Sequence, residues 1–261
     1  MFDFTPVWKI KTIEWKYLSY GKVISALRVV ELLKEHFAET DTVYDLGCGA
    51  GGLSHFIEHY VGLDQLRNAI ATAKKTSEGR DSRFVCGDGG QVPFKSGTAD
   101  IVLSISMVEH MEDPAAAIKE ARRICAGRGL LIIPCKDTYG FFYDPINFIR
   151  KTFGLAPLAR GAFGYGHINV LSKDGWRTMI EDNDFVVEAI EPYDNSLFNQ
   201  IEFFLFSLLT PNAAYEDIPI KILSENKFRW VARLQKFISL FDIRTRASFC
   251  QAFVVSTRND H

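Results

Sequence analysis

One short stretch decides the fold, and it reads Val43-Tyr44-Asp45-Leu46-Gly47-Cys48-Gly49-Ala50-Gly51-Gly52. An apolar run ends in an acid, a glycine-rich turn follows, and residues 53–58 have the pattern of a helix start. This order predicts a strand, a tight turn and a helix, which is the local plan of a nucleotide-binding βα unit. Gly47 and Gly49 permit backbone conformations and a close ligand approach that a Cβ would block.

Two acids distinguish between the ligands that such a turn can hold. Gly47, Gly49 and Gly52 fit the G-x-G-x-x-G pattern of a dinucleotide site. Asp45, however, is unfavourable beside a pyrophosphate and suits a ligand with an ammonium group. Asp64 ends the next apolar run, roughly 20 residues after the turn begins, where a ribose-binding acid belongs. S-adenosylmethionine (SAM) carries an ammonium group and a ribose and has no phosphate, so the two acids favour SAM over NAD.

Composition indicates an ordinary globular chain. The 261 residues are 47% apolar and 24% charged, which predicts a single domain over residues 1–261 with a substantial core. The net charge of −2 gives no reason to expect a nucleic-acid partner. The five cysteines are scattered without a C-x-x-C pair, so neither a disulfide framework nor a zinc site is indicated. The start of the chain lacks a signal-peptide pattern, and we expect a cytoplasmic protein.

Strand and helix patterns alternate after the glycine turn. Asp113 and Pro114 predict the N-cap and first residue of a helix over 115–124, and Ser172 predicts another N-cap. Alternation of this kind predicts an α/β fold with a parallel sheet and helices on both faces. The further strands are predicted over 83–88, 100–105, 130–134, 184–190 and 249–255.

The chain resembles a known family through these motifs. D-x-G-x-G-x-G at Asp45, Gly47, Gly49 and Gly51 resembles motif I of the class I SAM-dependent methyltransferases. Residues 40–192 and the last strand are similar to the small-molecule branch of that family, which includes quinone-biosynthesis methyltransferases. The resemblance implies a Rossmann-like doubly wound seven-stranded sheet, with order 3-2-1-4-5-7-6 and the last strand antiparallel. SAM would lie across the switch point between strands one and four, with S-adenosylhomocysteine as the product.

The resemblance also implies roles for individual residues. Asp45 and the glycines would hold the methionine end of SAM, Asp64 the ribose and Asp88 the adenine, while a turn-forming role for Asp88 remains the alternative. Ser104 to Ser106 would line the donor methyl. The expected cofactor-binding set is Asp45, Gly47, Cys48, Gly49, Gly51, Asp64, Gln65, Asp88, Gly89, Ser104, Ile105 and Ser106.

Two histidines are candidates for direct participation in the reaction. A base is needed only when the methyl acceptor is a hydroxyl or an acidic carbon. His110 follows the fourth strand close to the expected donor methyl, and His167 lies in a covering segment, although either could be structural. Some relatives bind a divalent metal through E-x-x-E-H, but Ser106 stands at the first position before Glu109, so no metal is expected.

Three segments outside the alternating pattern are expected to enclose the acceptor. They are a helical cover over 1–38, an aromatic loop over 136–170 and a helical cap inserted at 193–248. Their aromatic content favours a hydrophobic acceptor. The apolar run 197–209 is too short to cross a bilayer. The helix near 228–241 leaves two alternatives: a cap that packs through its apolar face, or an interfacial helix that gives 197–241 a peripheral membrane contact.

Two functions therefore remain open. The first is an enzyme that methylates a small, hydrophobic or aromatic molecule. The second is a SAM-binding regulatory or scaffold protein without catalysis. An NAD oxidoreductase is disfavoured by Asp45.

Overall fold

The computed structural model describes residues 2–39, 41–154, 168–169, 171–209, 221–245, 248 and 250–258. The strands are β1 Thr12–Glu14, β2 Val43–Leu46, β3 Tyr60–Asp64, β4 Ser82–Cys86, β5 Ala99–Ile105, β6 Cys125–Pro134, β7 Phe185–Pro192, β8 Ile222–Ser224 and β9 Cys250–Thr257. The α-helices are α1 Tyr20–His36, α2 Arg67–Thr76, α3 Pro114–Ile124, α4 Lys136–Thr152, α5 Lys173–Glu181, α6 Leu197–Leu209 and α7 Glu225–Ser239. Short 3-10 helices cover Thr5–Lys9, Trp15–Leu18, Gly52–His55 and Val108–His110.

Seven strands form one sheet in the order β4-β3-β2-β5-β6-β9-β7. Counted along the chain, these strands have the order 3-2-1-4-5-7-6, and β9 is antiparallel to both of its neighbours. The predicted fold class and strand order are therefore confirmed. The winding direction reverses between β2 and β5, so a ligand crevice is expected where their carboxyl ends diverge.

The sheet is buried between two apolar clusters. Alternate residues of the central strand β5 point to opposite faces, so Ile101 and Leu103 join the cluster that contains α1, while Val102 joins the cluster that contains α3 and α5. All three side chains are at most 1% exposed. Burial on both faces explains why the central strands are continuously apolar in sequence.

The two predicted helix caps are confirmed. The Asp113 side chain accepts a hydrogen bond from the Ala116 backbone N–H at 3.0 Å, with Pro114 in the first turn of α3. Ser172 accepts from Gly175 N–H at 3.0 Å at the start of α5. These bonds satisfy backbone donors that have no partner inside the helix.

The prediction of an aromatic loop over 136–170 is wrong for residues 136–152, which form α4. Gly140 and Pro145 argue against a helix locally. Tertiary contact overrides this preference, because Ile146 and Arg150, one turn apart, are 0% and 3% exposed. Residues 155–167, including His167, lie outside the described residues.

A smaller difference concerns the segment after the glycine turn. The sequence predicts a helix there, whereas the structure has only the four-residue 3-10 helix Gly52–His55.

The N-terminal cover over 1–38 and the insertion at 193–248 contact each other through strand pairing and hydrogen bonds. β1 and β8 form a two-stranded antiparallel sheet, so neither segment is purely helical. The Glu202 carboxylate in α6 accepts from Ser19 Oγ at 3.0 Å and from the Gly21 N–H at 2.6 Å at the start of α1. A carboxylate at this helix end is also stabilised by the helix dipole. Tyr20 donates to Asp242 Oδ2 at 2.7 Å, which attaches the end of the insertion to α1.

Candidate active site

The carboxyl ends of four parallel strands meet at one edge of the sheet. In the register, Leu46 of β2 lies beside Leu63 of β3 and Ser104 of β5, and Asp64 lies beside Cys86 of β4. The segments that follow these strands therefore come together. The strand ends and these following segments hold Gly47, Cys48, Gly49, Asp64, Gln65, Asp88, Gly89, Ile105 and Ser106.

Asp45 brings a buried acceptor to this edge. Its side chain is 3% exposed, Oδ2 accepts from the Tyr60 hydroxyl, and Oδ1 has no hydrogen-bond partner among the described residues. Burial raises the pKa of Asp45 to about 7, and the nearby Asp64 charge adds to this increase. A buried carboxylate oxygen without a donor is costly, and the ammonium group of SAM is a donor that would satisfy it.

Asp64 is held by the backbone at both oxygens. Oδ2 accepts from the Gly49 N–H at 2.8 Å and Oδ1 from the Leu66 N–H at 2.9 Å. Each oxygen retains a lone pair, and the half-buried carboxylate is oriented for hydroxyl donors such as those of a ribose.

The same bonds argue against a pyrophosphate site. Gly47 and Cys48 donate their N–H groups to Leu63 O at 2.8 and 3.0 Å, and Gly49 donates to Asp64. A phosphate site in a glycine-rich turn needs such N–H groups to point at the ligand, usually with an α-helix N-terminus behind them. Here these donors are occupied and only a short 3-10 helix follows the turn. This turn therefore suits a ligand without phosphate.

The glycines of the turn serve different purposes. Gly49 has φ +54° and an added Cβ would meet nothing within 4 Å, so it borders open space that a ligand can fill. At Gly47, with φ +83°, an added Cβ would lie 2.8 Å from Met107 Cβ. At Gly51, an added Cβ would lie 2.6 Å from the Phe84 ring, so packing accounts for this glycine.

The remaining predicted cofactor residues divide into two groups. Gln65, Asp88 and Ser106 are exposed at the rim of the sheet edge, and Asp88 Oδ1 accepts from Gly90 N–H at 2.8 Å in a turn. The Ser104 side chain is buried, and its Oγ has no partner in the described part of the chain. Cys48 Sγ faces β3, where a Cβ at Gly62 would meet it at 2.7 Å, so its side chain points into the sheet.

A strained turn follows β5. Ser106 has φ +49°, a left-handed conformation that is unfavourable for a residue with a Cβ and that concentrates at functional sites. The 3-10 helix that follows places His110, whose side chain is 34% exposed, with Nε2 3.9 Å from Oε1 of the fully buried Glu109. Burial raises the pKa of Glu109 to about 8. The pair offers a proton acceptor next to the strained turn after β5.

Sequence reasoning missed Met107 at this edge, and it named Tyr17 only as a candidate acceptor contact in the N-terminal cover. Met107 lies across Gly47 and Gly89, whose added Cβ atoms would meet its side chain. Tyr17 is buried against Gly52, where an added Cβ would meet its hydroxyl. Glu109 appeared in sequence only as half of an incomplete metal motif. The sole sequence signal for Met107 was the pair of glycines, Gly47 and Gly89, that make room for its side chain.

One group in the described residues has the geometry to hold a metal ion, and it consists of Glu35, His36 and Glu191. Arg28 donates to Glu191 at 2.9 Å and also to Glu31 at 2.8 Å, while His36 contacts Glu191 at 2.7 Å. This cluster is a charge-compensated ion-pair network, and we assign it no metal.

Comparison with known proteins gives one family and one fold. Residues 44–133 match the family described as "Methyltransferase domain". Norajmaline N-methyltransferase of Rauvolfia serpentina is 27% identical over 41% of this chain and 40% of its own length. Tocopherol O-methyltransferase of Arabidopsis thaliana is 33% identical over 35% of this chain and 29% of its own length. The matched segment thus spans well under half the length of these curated relatives.

Solved structures match most of the chain. The SAH-bound magnesium protoporphyrin IX methyltransferase of Synechocystis superposes with a TM-score of 0.57 at 16% identity, covering 93% of this chain and 86% of that chain. A likeness at this identity shows the fold. Residues 44–133 are thus similar to the methyltransferase domain family, and the chain that contains them has the class I SAM-dependent methyltransferase fold.

Proposed function

We propose that this protein transfers the methyl group of SAM to a small hydrophobic acceptor. One observation carries the proposal. The edge of the sheet at its switch point combines a buried oxygen of Asp45 that has no donor among the described residues, the open space beside Gly49 and the oriented carboxylate of Asp64. These features fit the ammonium group, the close backbone approach and the ribose of SAM.

The acceptor chemistry is inferred from the side chains beside this site. Met107 and Met111 follow β5, and the backbone of Ile168 donates to Glu109 O at 2.8 Å, which places an exposed apolar residue beside them. The adaptable methionine side chains suit an apolar molecule of irregular shape. The names of the tocopherol and norajmaline enzymes describe acceptors that are compatible with this chemistry.

Bound SAM would supply an already activated methyl group on a sulfonium. The chain would contribute alignment and exclusion of water, with reacting atoms held about 3 Å apart. The half-exposed imidazole of His110 would accept the proton of a hydroxyl or acidic-carbon acceptor. Glu109, buried behind it, would favour one orientation of the ring. An amine acceptor in its neutral form would need no such base before transfer.

Two measurements test the proposal. Calorimetric titration with SAM and SAH should show binding that Asp64→Ala weakens. Incubation with methyl-labelled SAM should then label apolar phenols, hydroquinones or apolar amines in preference to sugars and amino acids. His110→Ala should lower kcat for phenols and leave the SAM affinity unchanged, while His59→Ala, which changes an exposed histidine paired with Asp81, should alter neither.

Each outcome has a definite meaning. Absence of SAM binding would contradict the cofactor site. SAM binding without labelling of any acceptor would favour the non-catalytic binding protein. Labelling confined to sugars or amino acids would contradict the apolar acceptor while retaining the methyltransferase.

A further inference from the structure

Helix α7 presents a continuous apolar stripe to solvent. Trp230, Leu234, Phe237 and Phe241 follow one another at intervals of four, three and four residues, and they are 67%, 46%, 58% and 62% exposed. At about 100° per residue, Trp230, Leu234 and Phe237 fall within roughly 60° of one another around the helix axis, and Phe241 continues the stripe in the turn after α7. The Phe237 and Phe241 rings contact each other with centroids 5.4 Å apart. Exposed apolar patches of this kind mark interaction surfaces.

The buried face of α7 is the opposite one, which fixes the helix in this orientation. Phe228, Ala232 and Gln235 are at most 2% exposed. Gln235 Nε2 donates to Leu18 O at 3.0 Å. The helix thus packs on the domain through Phe228, Ala232 and Gln235, whereas the apolar face that the sequence favours for packing, with Trp230, Leu234 and Phe237, is exposed.

Basic residues border the stripe. Lys227 and Arg233 are exposed and lie about 60° to either side of Trp230 on the helical wheel. Two other basic residues on α7 are engaged within the protein. Arg229 donates to Trp8 O at 2.8 Å and pairs with Glu225, and the Lys236 ammonium lies 5.9 Å from the centre of the Trp8 ring. Lys227 and Arg233 have no such partner among the described residues, so these two cations of α7 are available to a ligand.

We propose that α7 is an interfacial helix that docks on an anionic lipid surface. An aromatic and aliphatic stripe between cations matches the boundary between acyl chains and negatively charged headgroups. The charge pattern favours lipid over a second protein, since an apolar protein partner would not require flanking cations. No helix among the described residues is long and apolar enough to cross a membrane, and docking parallel to the surface requires no span.

Helix α7 lies next to the part of the N-terminal cover that packs on the glycine-rich turn. Gln235 of α7 binds the backbone of Leu18, and the neighbouring Tyr17 is buried against Gly52 and lies with its ring 6.3 Å from that of Phe56. A docked α7 would therefore bring the edge of the methyltransferase site close to the membrane. Delivery of an apolar acceptor from the bilayer rests on the proposed function, whereas docking itself does not.

The test uses the full chain and sedimentation with lipid vesicles. Binding to vesicles of phosphatidylcholine mixed with phosphatidylglycerol should exceed binding to phosphatidylcholine alone. It should weaken as the Debye length falls from about 30 Å at 0.01 M salt to about 3 Å at 1 M. The double variant Lys227→Gln/Arg233→Gln should lose about tenfold or more in affinity for the anionic vesicles. Trp230→Ser/Phe237→Ser should lose binding at every salt concentration.

The matched control is Lys74→Gln/Lys75→Gln, which removes two exposed charges from α2. It should bind like the unchanged protein. All substituted side chains are exposed, and circular dichroism together with SAM titration would verify that each variant folds. Failure of SAM binding in the unchanged protein would contradict the proposed function and leave the vesicle result intact.

Three outcomes would overturn the docking proposal. The first is no binding to anionic vesicles at low salt. The second is that Trp230→Ser/Phe237→Ser binds vesicles as tightly as the unchanged protein does, or that Lys74→Gln/Lys75→Gln loses as much vesicle affinity as Lys227→Gln/Arg233→Gln. The third is dimerisation that Phe237→Ser abolishes without any vesicle binding, which would assign the stripe to a second copy of the chain.

Discussion

Asp45, near the end of β2, accepts a hydrogen bond from the hydroxyl of Tyr60 at the start of β3. Both side chains are buried, so burial raises the pKa of Asp45 to about 7 and the pKa of Tyr60 well above its ordinary value. The tyrosine holds one carboxylate oxygen and leaves the other for a ligand. Because the pKa of Asp45 is raised to about 7, we expect this pair to make SAM affinity depend on pH.

We predict that SAM affinity falls about tenfold for each pH unit below about 7. In the free protein Asp45 takes up a proton as the pH falls through its raised pKa, and the neutral carboxyl loses its attraction for the ammonium group. Affinity should also decline above about pH 8, where an α-amino group loses its proton. Calorimetric titration with SAM across this pH range measures the loss of affinity on both the acid and the alkaline side.

Two variants test whether the Asp45–Tyr60 pair causes the loss of SAM affinity at low pH. Asp45→Asn should weaken SAM binding and abolish the fall in affinity at low pH, because an amide does not titrate. Tyr60→Phe should make SAM affinity begin to fall at a higher pH, since it removes the hydrogen bond that lowers the pKa of Asp45. An affinity that is constant between about pH 6 and 7.5 would show that the ammonium group does not bind at Asp45.

Asp64→Ala should weaken SAM binding by about 1–3 kcal/mol, because a charge-assisted bond to the ribose is lost. The variant also removes the acceptor of the Gly49 N–H, so Asp64→Asn, which retains one acceptor oxygen, should be affected less. Asp81→Ala is the control, since it removes an exposed acid paired with His59. Equal affinity in Asp64→Ala and Asp81→Ala, measured by calorimetry, would refute the ribose assignment.

Gly49→Ala should abolish detectable SAM binding while destabilising the fold by only about 1–2 kcal/mol, the cost of a left-handed conformation for a residue with a Cβ. The new methyl group would project into open space, so it obstructs a ligand and meets no protein atom. Gly97→Ala is the matched control, because Gly97 has φ +66° and nothing within 4 Å of an added Cβ. Thermal unfolding should shift similarly in both variants, and SAM titration should separate them. Retained binding in Gly49→Ala would place the cofactor elsewhere.

Glu109→Gln should raise the melting temperature at about pH 8 and have less effect near pH 5. Burial raises the pKa of Glu109 to about 8 in the folded state, from an ordinary value of 4.5. The folded protein therefore retains a proton that the unfolded chain releases, and stability falls as the pH rises between these values. The amide removes this dependence. A melting temperature that Glu109→Gln lowers equally at both pH values would show instead that the carboxyl stabilises the fold.

Much of the fold could be predicted because its signals are local. The caps at Asp113 and Ser172 each need only a side chain and a backbone N–H three residues ahead. Strand order followed from a family resemblance that rests on Asp45, the glycines and Asp64, and these residues lie within a span of 20 positions. The sequence also predicted which strand ends would meet, because carboxyl ends of parallel strands share one edge.

Helix α4 could not be predicted from its own residues. Gly140 and Pro145 disfavour a helix, and the helix forms because burial of Ile146 and Arg150 outweighs that preference. The orientation of α7 could not be predicted either, because tertiary packing sets it. Its aromatic side is the more apolar one, yet the N-terminal segment packs on Phe228 and Ala232.

The sequence by itself determined the class of fold, the edge of the sheet that holds the site and the acids that suit SAM, because these depend on neighbouring residues and strand polarity. Only the tertiary structure decided that Tyr60 binds Asp45, that the N–H groups of Gly47, Cys48 and Gly49 are occupied, and that the stripe from Trp230 to Phe241 faces solvent. Each of these depends on contact between residues distant in sequence, and the packing of the whole chain sets the free energy of such contacts.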